Sequence, residues 1–197
     1  MAGAIATLID DVVRGALKAP LKALGYKKDR RTFRRHLDGC TQLVNVQASM
    51  WNEGASGRFT VNLGVYFRGL ADLGGIGRLT DDPIESDCLV RCRIGHLLAG
   101  GEDRWWEVHS GVDQTALVSE VRQACIGEGQ AWLDAHADLS SARSFLVKQG
   151  SLYWASAASL ALNDREAASS YLARAIEGWP AGTGQLRAWG RRHGLLA

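Results

Sequence analysis

Arg58-Phe59-Thr60-Val61-Asn62-Leu63-Gly64-Val65-Tyr66-Phe67 alternates without a break. Phe59, Val61, Leu63, Val65 and Phe67 share one side, and Arg58, Thr60, Asn62, Gly64 and Tyr66 share the other. A period of two is the signature of a strand with one face in a core and one toward water, the usual condition of an antiparallel sheet.

Working outward, Phe33, Arg35 and Leu37 alternate with Thr32, Arg34 and His36, and Asp38-Gly39 supplies a tight turn into a strand over residues 42–49. Residues 51–57 then form the hairpin loop into the opening stretch. A fourth strand is expected over residues 88–94, with Cys88, Val90, Cys92 and Ile94 opposite Leu89, Arg91 and Arg93, and a fifth over residues 105–108. Trp105 and Trp106 are adjacent and must face opposite sides, while Trp51 is expected in the core or at its rim. Between the third and fourth strands, residues 68–87 contain Gly69, Gly74, Gly75, Gly77 and Pro83 and read as a long connection, a candidate lid.

Helical spacing brackets this region. Ile5, Leu8, Ile9, Val12, Val13, Ala16 and Leu17 make an amphipathic first helix, Pro20 predicts a kink or restart, and Gly25 predicts a C-terminal cap. From Val112 onward the chain is helical, with Leu117, Val118, Val121 and Cys125 on one stripe. Asp138 caps a further helix, and residues 151–177 read as a helical hairpin broken at Asn163-Asp164. Ala168, Leu172, Ala175 and Pro180 are spaced like the second helix of a tetratricopeptide repeat, but Ser159 stands where the first helix wants an aromatic. The fold class is therefore α+β, an antiparallel sheet of four to five strands with an N-terminal helix and a C-terminal all-helical segment. The expected division is an α+β domain over residues 1–136 and a helical extension over residues 137–197.

A 197-residue chain with 46% hydrophobic residues can bury a proper core. Its 23 Lys and Arg against 21 Asp and Glu give a formal charge of +2, too small for a global field that draws nucleic acid or anionic lipid. The absence of a spanning apolar run, with Asp10 and Asp11 in the first segment, points to a cytoplasmic protein without a membrane partner. Cys40, Cys88, Cys92 and Cys125 are expected as reduced thiols.

No nucleotide-binding loop, dinucleotide fingerprint, His-Glu-x-x-His or nucleophile elbow occurs, so no reaction and no cofactor is implied. Gly74-Gly75-Ile76-Gly77 lacks the Lys-Ser/Thr pair of a phosphate loop and reads as a turn. Cys88 and Cys92 would stand about 13 Å apart on a strand, too far to share a zinc. Asp81, Asp82, Glu85 and Asp87 are the one carboxylate cluster suited to a hard cation. A metal-dependent hydrolase or nuclease using that loop is the second functional reading.

The leading reading rests on Asn45, Gln47, Thr60 and Asn62, uncharged amides and a hydroxyl at period two on adjacent strands. Such residues build an ordered polar platform. Together with Arg34, Tyr66, Arg91 and Arg93 they define a face for a protein partner or small ligand. The basic run over residues 27–35 is the third reading, phosphate contact with nucleic acid.

Residues 24–28 (LGYKK), 31–35 (RTFRR), 44–47 (VNVQ) with Trp51-Asn52, 57–66 (GRFTVNLGVY) and 88–95 (CLVRCRIG) with Trp105-Trp106 resemble the DUF4304 family, over roughly residues 5–135. That family has no established activity. The resemblance implies a bacterial cytoplasmic setting, with toxin immunity one role consistent with it, and supplies no catalytic residues.

Overall fold

In the computed structural model, which describes residues 2–75 and 78–197, the chain opens with helix α1 (Ala2–Val13), a π turn (Arg14–Lys18) and helix α2 (Ala19–Ala23). Pro20 sits in the first turn of α2, where its missing N–H is tolerated. The sequence led to a kink or restart at this point, and the wide turn before the proline is the form it takes. A proline also leaves preceding carbonyls without their helical donor. The Arg122 guanidinium fills that role, donating to Gly15 O (2.6 Å) and Ala16 O (3.3 Å). At the other end, Gly25 takes φ +90°, Tyr26 N–H reaches Leu21 O and Gly25 N–H reaches Lys22 O. That pair of bonds closes the helix in a Schellman arrangement.

The sheet has six antiparallel strands: β1 (Lys27–Asp29), β2 (Thr32–His36), β3 (Thr41–Ala48), β4 (Ser56–Tyr66), β5 (Val90–Arg93) and β6 (Trp106–His109). The first four run in sequence order as successive hairpins. β4 is the longest, and its second edge is shared: Asn62 to Val65 pair with β5, and Ser56 to Phe59 pair with β6. The short β1 is the strand that period-two reading missed, since three exposed residues carry no alternation to detect.

The register puts Phe33, Val44, Val46, Phe59, Val61, Leu63, Val65, Val90, Trp106 and Val108 on the inner face, all buried. Helix α1 contributes Ile5, Ile9, Val12 and Val13 to this core. Helices α4 (Gln114–Ala124) and α5 (Gln130–Ala135) follow, joined by a second π turn (Cys125–Gly129) that falls on the glycines breaking the helical stripe. Trp106 packs on Phe59 with ring centroids 5.6 Å apart.

The outer face departs from the half-buried strand expected for β4. Burial is continuous from Phe59 to Tyr66. The segment following residue 81 lies over this face: Pro83 is buried, and Cys88 stands directly above Gly64. A Cβ on Gly64 would lie 2.7 Å from Cys88 Sγ, so glycine is what lets the segment sit down.

The chain divides into two compact units, Met1–Tyr66 with Asp82–Ala135, and Phe67–Asp81 with His136–Ala197. The second unit holds α3 (Arg68–Gly74), α6 (Leu139–Lys148), α7 (Leu152–Ala161), α8 (Arg165–Gly178) and α9 (Thr183–Arg192). The helical unit is thus discontinuous in sequence, and the long connection expected over residues 68–87 begins as a helix. Leu70, Ala71 and Gly74 are its buried side. Of the expected glycine turn, Gly74 ends the helix and Gly75 is left-handed at φ +63°, while Ile76 and Gly77 lie outside the described residues.

The last carbonyls of α3 need donors. Tyr153 of α7 donates its hydroxyl to Gly74 O, and Trp189 of α9 donates Nε1 to Leu73 O at 2.9 Å. Helices α7 and α8 form the expected hairpin, turning at Asn163 with φ +60°, and Asp164 caps α8 by accepting Ala167 N–H. Ala155, Ser156, Ala157, Ala158 and Ser159 are all buried, so α7 is the central helix and its small residues permit close approach on several sides. Ser156 Oγ donates to Ala168 O across the pair.

Gly64→Ala should destabilise the first unit by about 1–3 kcal/mol through overpacking against Cys88. Combining it with Cys88→Ala should recover part of that loss in urea unfolding. Strictly additive effects of the two substitutions would contradict the contact.

Candidate functional site

All seven residues singled out on the strands project from the outer face. The register opposes Asn45 to Asn62, Asn62 to Arg93, Gly64 to Arg91, Arg34 to Leu43 and Thr41 to Tyr66, and places Gln47 opposite Thr60. That face divides into a covered end and an open end.

The covered end takes Arg34 and Tyr66 out of contention as contact residues. Arg34 is 6% exposed and donates Nε to Pro83 O at 2.7 Å. It straps the segment after residue 81 onto the sheet, a structural use of a buried guanidinium. Tyr66 is 3% exposed in the same region. Arg91 lies on the rim, exposed, with Glu85 3.2 Å away.

At the open end the amides are ordered by one another. Asn45 Nδ2 donates to Thr32 Oγ1 (2.9 Å), and Asn62 Nδ2 donates to Gln47 Oε1 (2.8 Å). Arg93 donates Nε to Asn62 Oδ1 (3.3 Å) and Nη1 to Asp103 (2.6 Å), and Asp103 also accepts Trp105 Nε1 (2.9 Å). Trp105, half-buried, lies between two guanidiniums, Arg58 at 5.1 Å and Arg93 at 5.4 Å from its ring centre. As expected from alternation, Trp106 occupies the core while Trp105 faces outward.

Beside this patch the β3–β4 loop presents two large apolar side chains to water. Met50 is 87% exposed and Trp51 is 75% exposed, which corrects the expectation of a core or rim position for Trp51. The loop is held firmly nonetheless. Asn52 accepts Arg58 N–H (2.8 Å) and donates to Arg58 O (3.1 Å), Ser49 Oγ accepts Trp51 N–H, and Glu53 bridges Ser56. A shallow depression of about 250 Å³ lies among Trp51, Asn52, Glu53, Ser56, Gly57, Arg58 and Glu107. The readable signal for Trp51 was its place in a loop with no period-two neighbour to pair with.

Three of the four loop carboxylates have different partners. Asp81 pairs with Arg68 (2.7 Å), Glu85 pairs with Arg91, and Asp87 accepts Ile84 N–H (2.8 Å) to cap its own turn. Among the described residues no three His, Cys, Asp or Glu side chains gather as metal ligands. The basic run divides: Arg34 is buried on the outer face and Arg35 turns to the inner face, while Arg31 is held by Asp10 near the hairpin tip. None of the four thiols forms a disulfide, and burial pushes Cys92 and Cys125 up to about 12, leaving them poor nucleophiles.

Arg35 belongs to a polar cluster within the inner face that sequence patterning did not reveal. Asp134 Oδ1 accepts from Arg35 Nη2 (2.6 Å), Gln130 Nε2 (2.9 Å) and Gln42 Nε2 (3.2 Å). Both glutamine carbonyls turn to the Tyr26 hydroxyl, at 2.8 and 3.0 Å. Burial raises the Tyr26 phenol well above its ordinary value. For Asp134, burial works to raise the carboxyl, but the donations from Gln130 and Gln42 and the Arg35 charge outweigh it and hold it below the ordinary range.

The family model for a domain of unknown function (DUF4304) matches residues 17–135, and the chain belongs to that family. No curated protein and no solved structure matches the chain. The matched span takes in all six strands, begins inside the first π turn, and ends with α5.

Because Asp134 is depressed in the folded state, its contribution is complete above about pH 4 and fades as pH falls through the lower folded value. Asp134 is half exposed and solvent screens its contacts, so Asp134→Ala should cost about 0.5–1 kcal/mol at pH 7 through the weakened donors of Gln42, Gln130 and Arg35. The gap from wild type should narrow in urea unfolding at pH 3, and a gap of constant size would argue against the network.

Proposed function

We propose that this member of the DUF4304 family is a non-catalytic binding module that recognises a protein partner through the open end of its sheet and the adjoining β3–β4 loop. The supporting observation is Trp51, 75% exposed on a loop that Asn52 clamps at both its backbone bonds to Arg58. A mobile loop would lose ordering entropy on binding. This one is already ordered, so most of the free energy of burying the indole is retained as affinity.

The composition around it favours a protein over a small ligand. Trp, Met and Arg are enriched at protein interfaces, and Trp and Arg dominate their energetic centres. Trp51 and Arg58 line one depression, and Arg58 and Arg93 flank Trp105, which brings two of those residue types together. The depression beside Trp51 is open and shallow, unlike the enclosed pocket that a small molecule requires. Arg34 and Tyr66 have structural work beneath the covering segment and are not assigned to the contact.

An immunity role, consistent with the family resemblance, requires a protein partner of this kind. Four cysteines outside any disulfide support a reducing, cytoplasmic setting, and among the described residues no helix is long and apolar enough to cross a membrane.

Affinity capture from the native host should recover a partner with the wild-type chain and lose it with Trp51→Ala, whose melting temperature should be unchanged. Measured against the purified partner, Trp51→Ala should weaken binding by about thirtyfold or more, the level of a central contact. Undiminished binding by a folded Trp51→Ala chain would refute the assignment.

A further inference from the structure

A concavity of about 930 Å³ lies between the N-terminal helical segment and the β1–β2 hairpin. It is lined by Asp10, Arg14, Lys18, Lys28, Arg30, Arg31, Thr32 and Asn45. Five cations against one carboxylate leave four positive charges there, whereas the whole chain carries a formal +2. Asp10 is committed to Arg31 at 2.7 Å, and Arg14 leans on Asp11 at 3.1 Å. Lys18, Lys28 and Arg30 have no carboxylate partner among the described residues. Like charges gathered in a concavity repel one another, and an anion is what relieves them.

The backbone supplies an independent observation. Arg30 sits at the tip of the hairpin with φ +52°, a left-handed conformation normally given to glycine or asparagine. The other non-glycine residue in that region is Asn163, which suits it. Retaining an arginine where glycine would relax the turn favours a use for its side chain, and that side chain lines the groove.

The lining also selects the ligand. Among the described residues no aromatic side chain lines it, so the groove offers no stacking platform for bases. Its polar floor is Thr32 and Asn45, fixed by their mutual hydrogen bond. The volume exceeds what one phosphate fills, and the cations come from two walls, Arg14 and Lys18 on one and Lys28, Arg30 and Arg31 on the other. We propose that this groove binds a compact polyphosphate, a chain of two or more linked phosphates, free or carried by a nucleotide. This site uses residues separate from the Trp51 surface, and either can fail without the other.

Calorimetric titration of the full chain at physiological salt tests it with three probes: inorganic tripolyphosphate, ATP and a 20-base-pair DNA duplex. Tripolyphosphate should bind with one-to-one stoichiometry, and Lys18→Ala/Lys28→Ala/Arg30→Gly should weaken it by about tenfold or more. Arg30→Gly relaxes the turn, so that variant should keep its melting temperature. ATP binding as tightly as tripolyphosphate identifies the phosphate chain as the whole recognition element, and ATP binding more tightly identifies a nucleotide as its carrier. Failure of both to bind, or binding unchanged in the triple variant, would overturn the proposal. So would a duplex that binds more tightly than tripolyphosphate and depends on the same three residues, which would assign the groove to nucleic acid.

Discussion

Strand β4 must satisfy three neighbours and two faces at once, and most of the first unit follows from that demand. Its eleven residues pair with β3 on one edge and with β5 and β6 on the other. Its inner face buries Phe59, Val61, Leu63 and Val65. A strand with a dry inner face ordinarily leaves its outer face to water, but here Thr60, Asn62 and Tyr66 are also buried. Buried polar groups are normally hydrogen-bonded, and Asn62 meets that demand, whereas the equally buried Thr60 Oγ1 has no hydrogen-bond partner among the described residues. Gln47 and Arg93, on the flanking strands, supply the bonds for Asn62, and the covering segment is fastened by Arg34 through Pro83 O. The absence of a side chain at Gly64 gives Cys88 the space to close over it.

Helix ends impose a second set of demands, and each unit meets them by the same means. Pro20 lacks the N–H that would serve a carbonyl one turn back, and Arg122 donates to Gly15 O and Ala16 O there. Helix α3 ends at Gly74, and Tyr153 and Trp189 take its terminal carbonyls. In both cases a side chain distant in sequence completes a backbone ladder, which ties secondary structure to tertiary packing. Gly74 has the further property that a Cβ would collide with the Trp154 ring, so the helix end and its neighbour share one close contact. The Asp134 cluster works similarly for the sheet, joining Gln42 of β3 and Arg35 of β2 to α5.

The architecture was legible because it is written in periods. Alternation over residues 58–67 gave β4 and its facing, and the opposite orientation of Trp105 and Trp106 followed from adjacency alone. What escaped had no period to read. β1 is three exposed residues, and α3 is a single short helix whose buried Leu70, Ala71 and Gly74 lie among glycines that suggest a loop. The candidate site was legible only as a shared face, since Asn45, Gln47, Asn62, Arg91 and Arg93 lie on one side of the sheet. Its division was not legible, because covering depends on a segment more than fifteen residues beyond β4, and alternation cannot distinguish a wet outer face from one roofed by polar contacts. Arg34 looked like a ligand residue for the same reason that it serves as a strap: a guanidinium offers directed donors to whatever lies above it.

Polar strand residues of this kind therefore carry two meanings. Beneath a roof they fasten it, and at an open end they stiffen one another. The chain from Gln47 through Asn62, Arg93 and Asp103 to Trp105 uses its inward-facing groups on internal bonds, which fixes the side chains. A network satisfied within the molecule contributes little affinity through its own amides, since those bonds already exist in the free state. Its contribution is rigidity. It holds Trp105 and the guanidiniums around it in one arrangement, next to a loop whose Asn52 clamp does the same for Trp51. The feature that looked like a recognition code is better understood as the frame, and the exposed indole with its neighbouring arginines as what the frame presents.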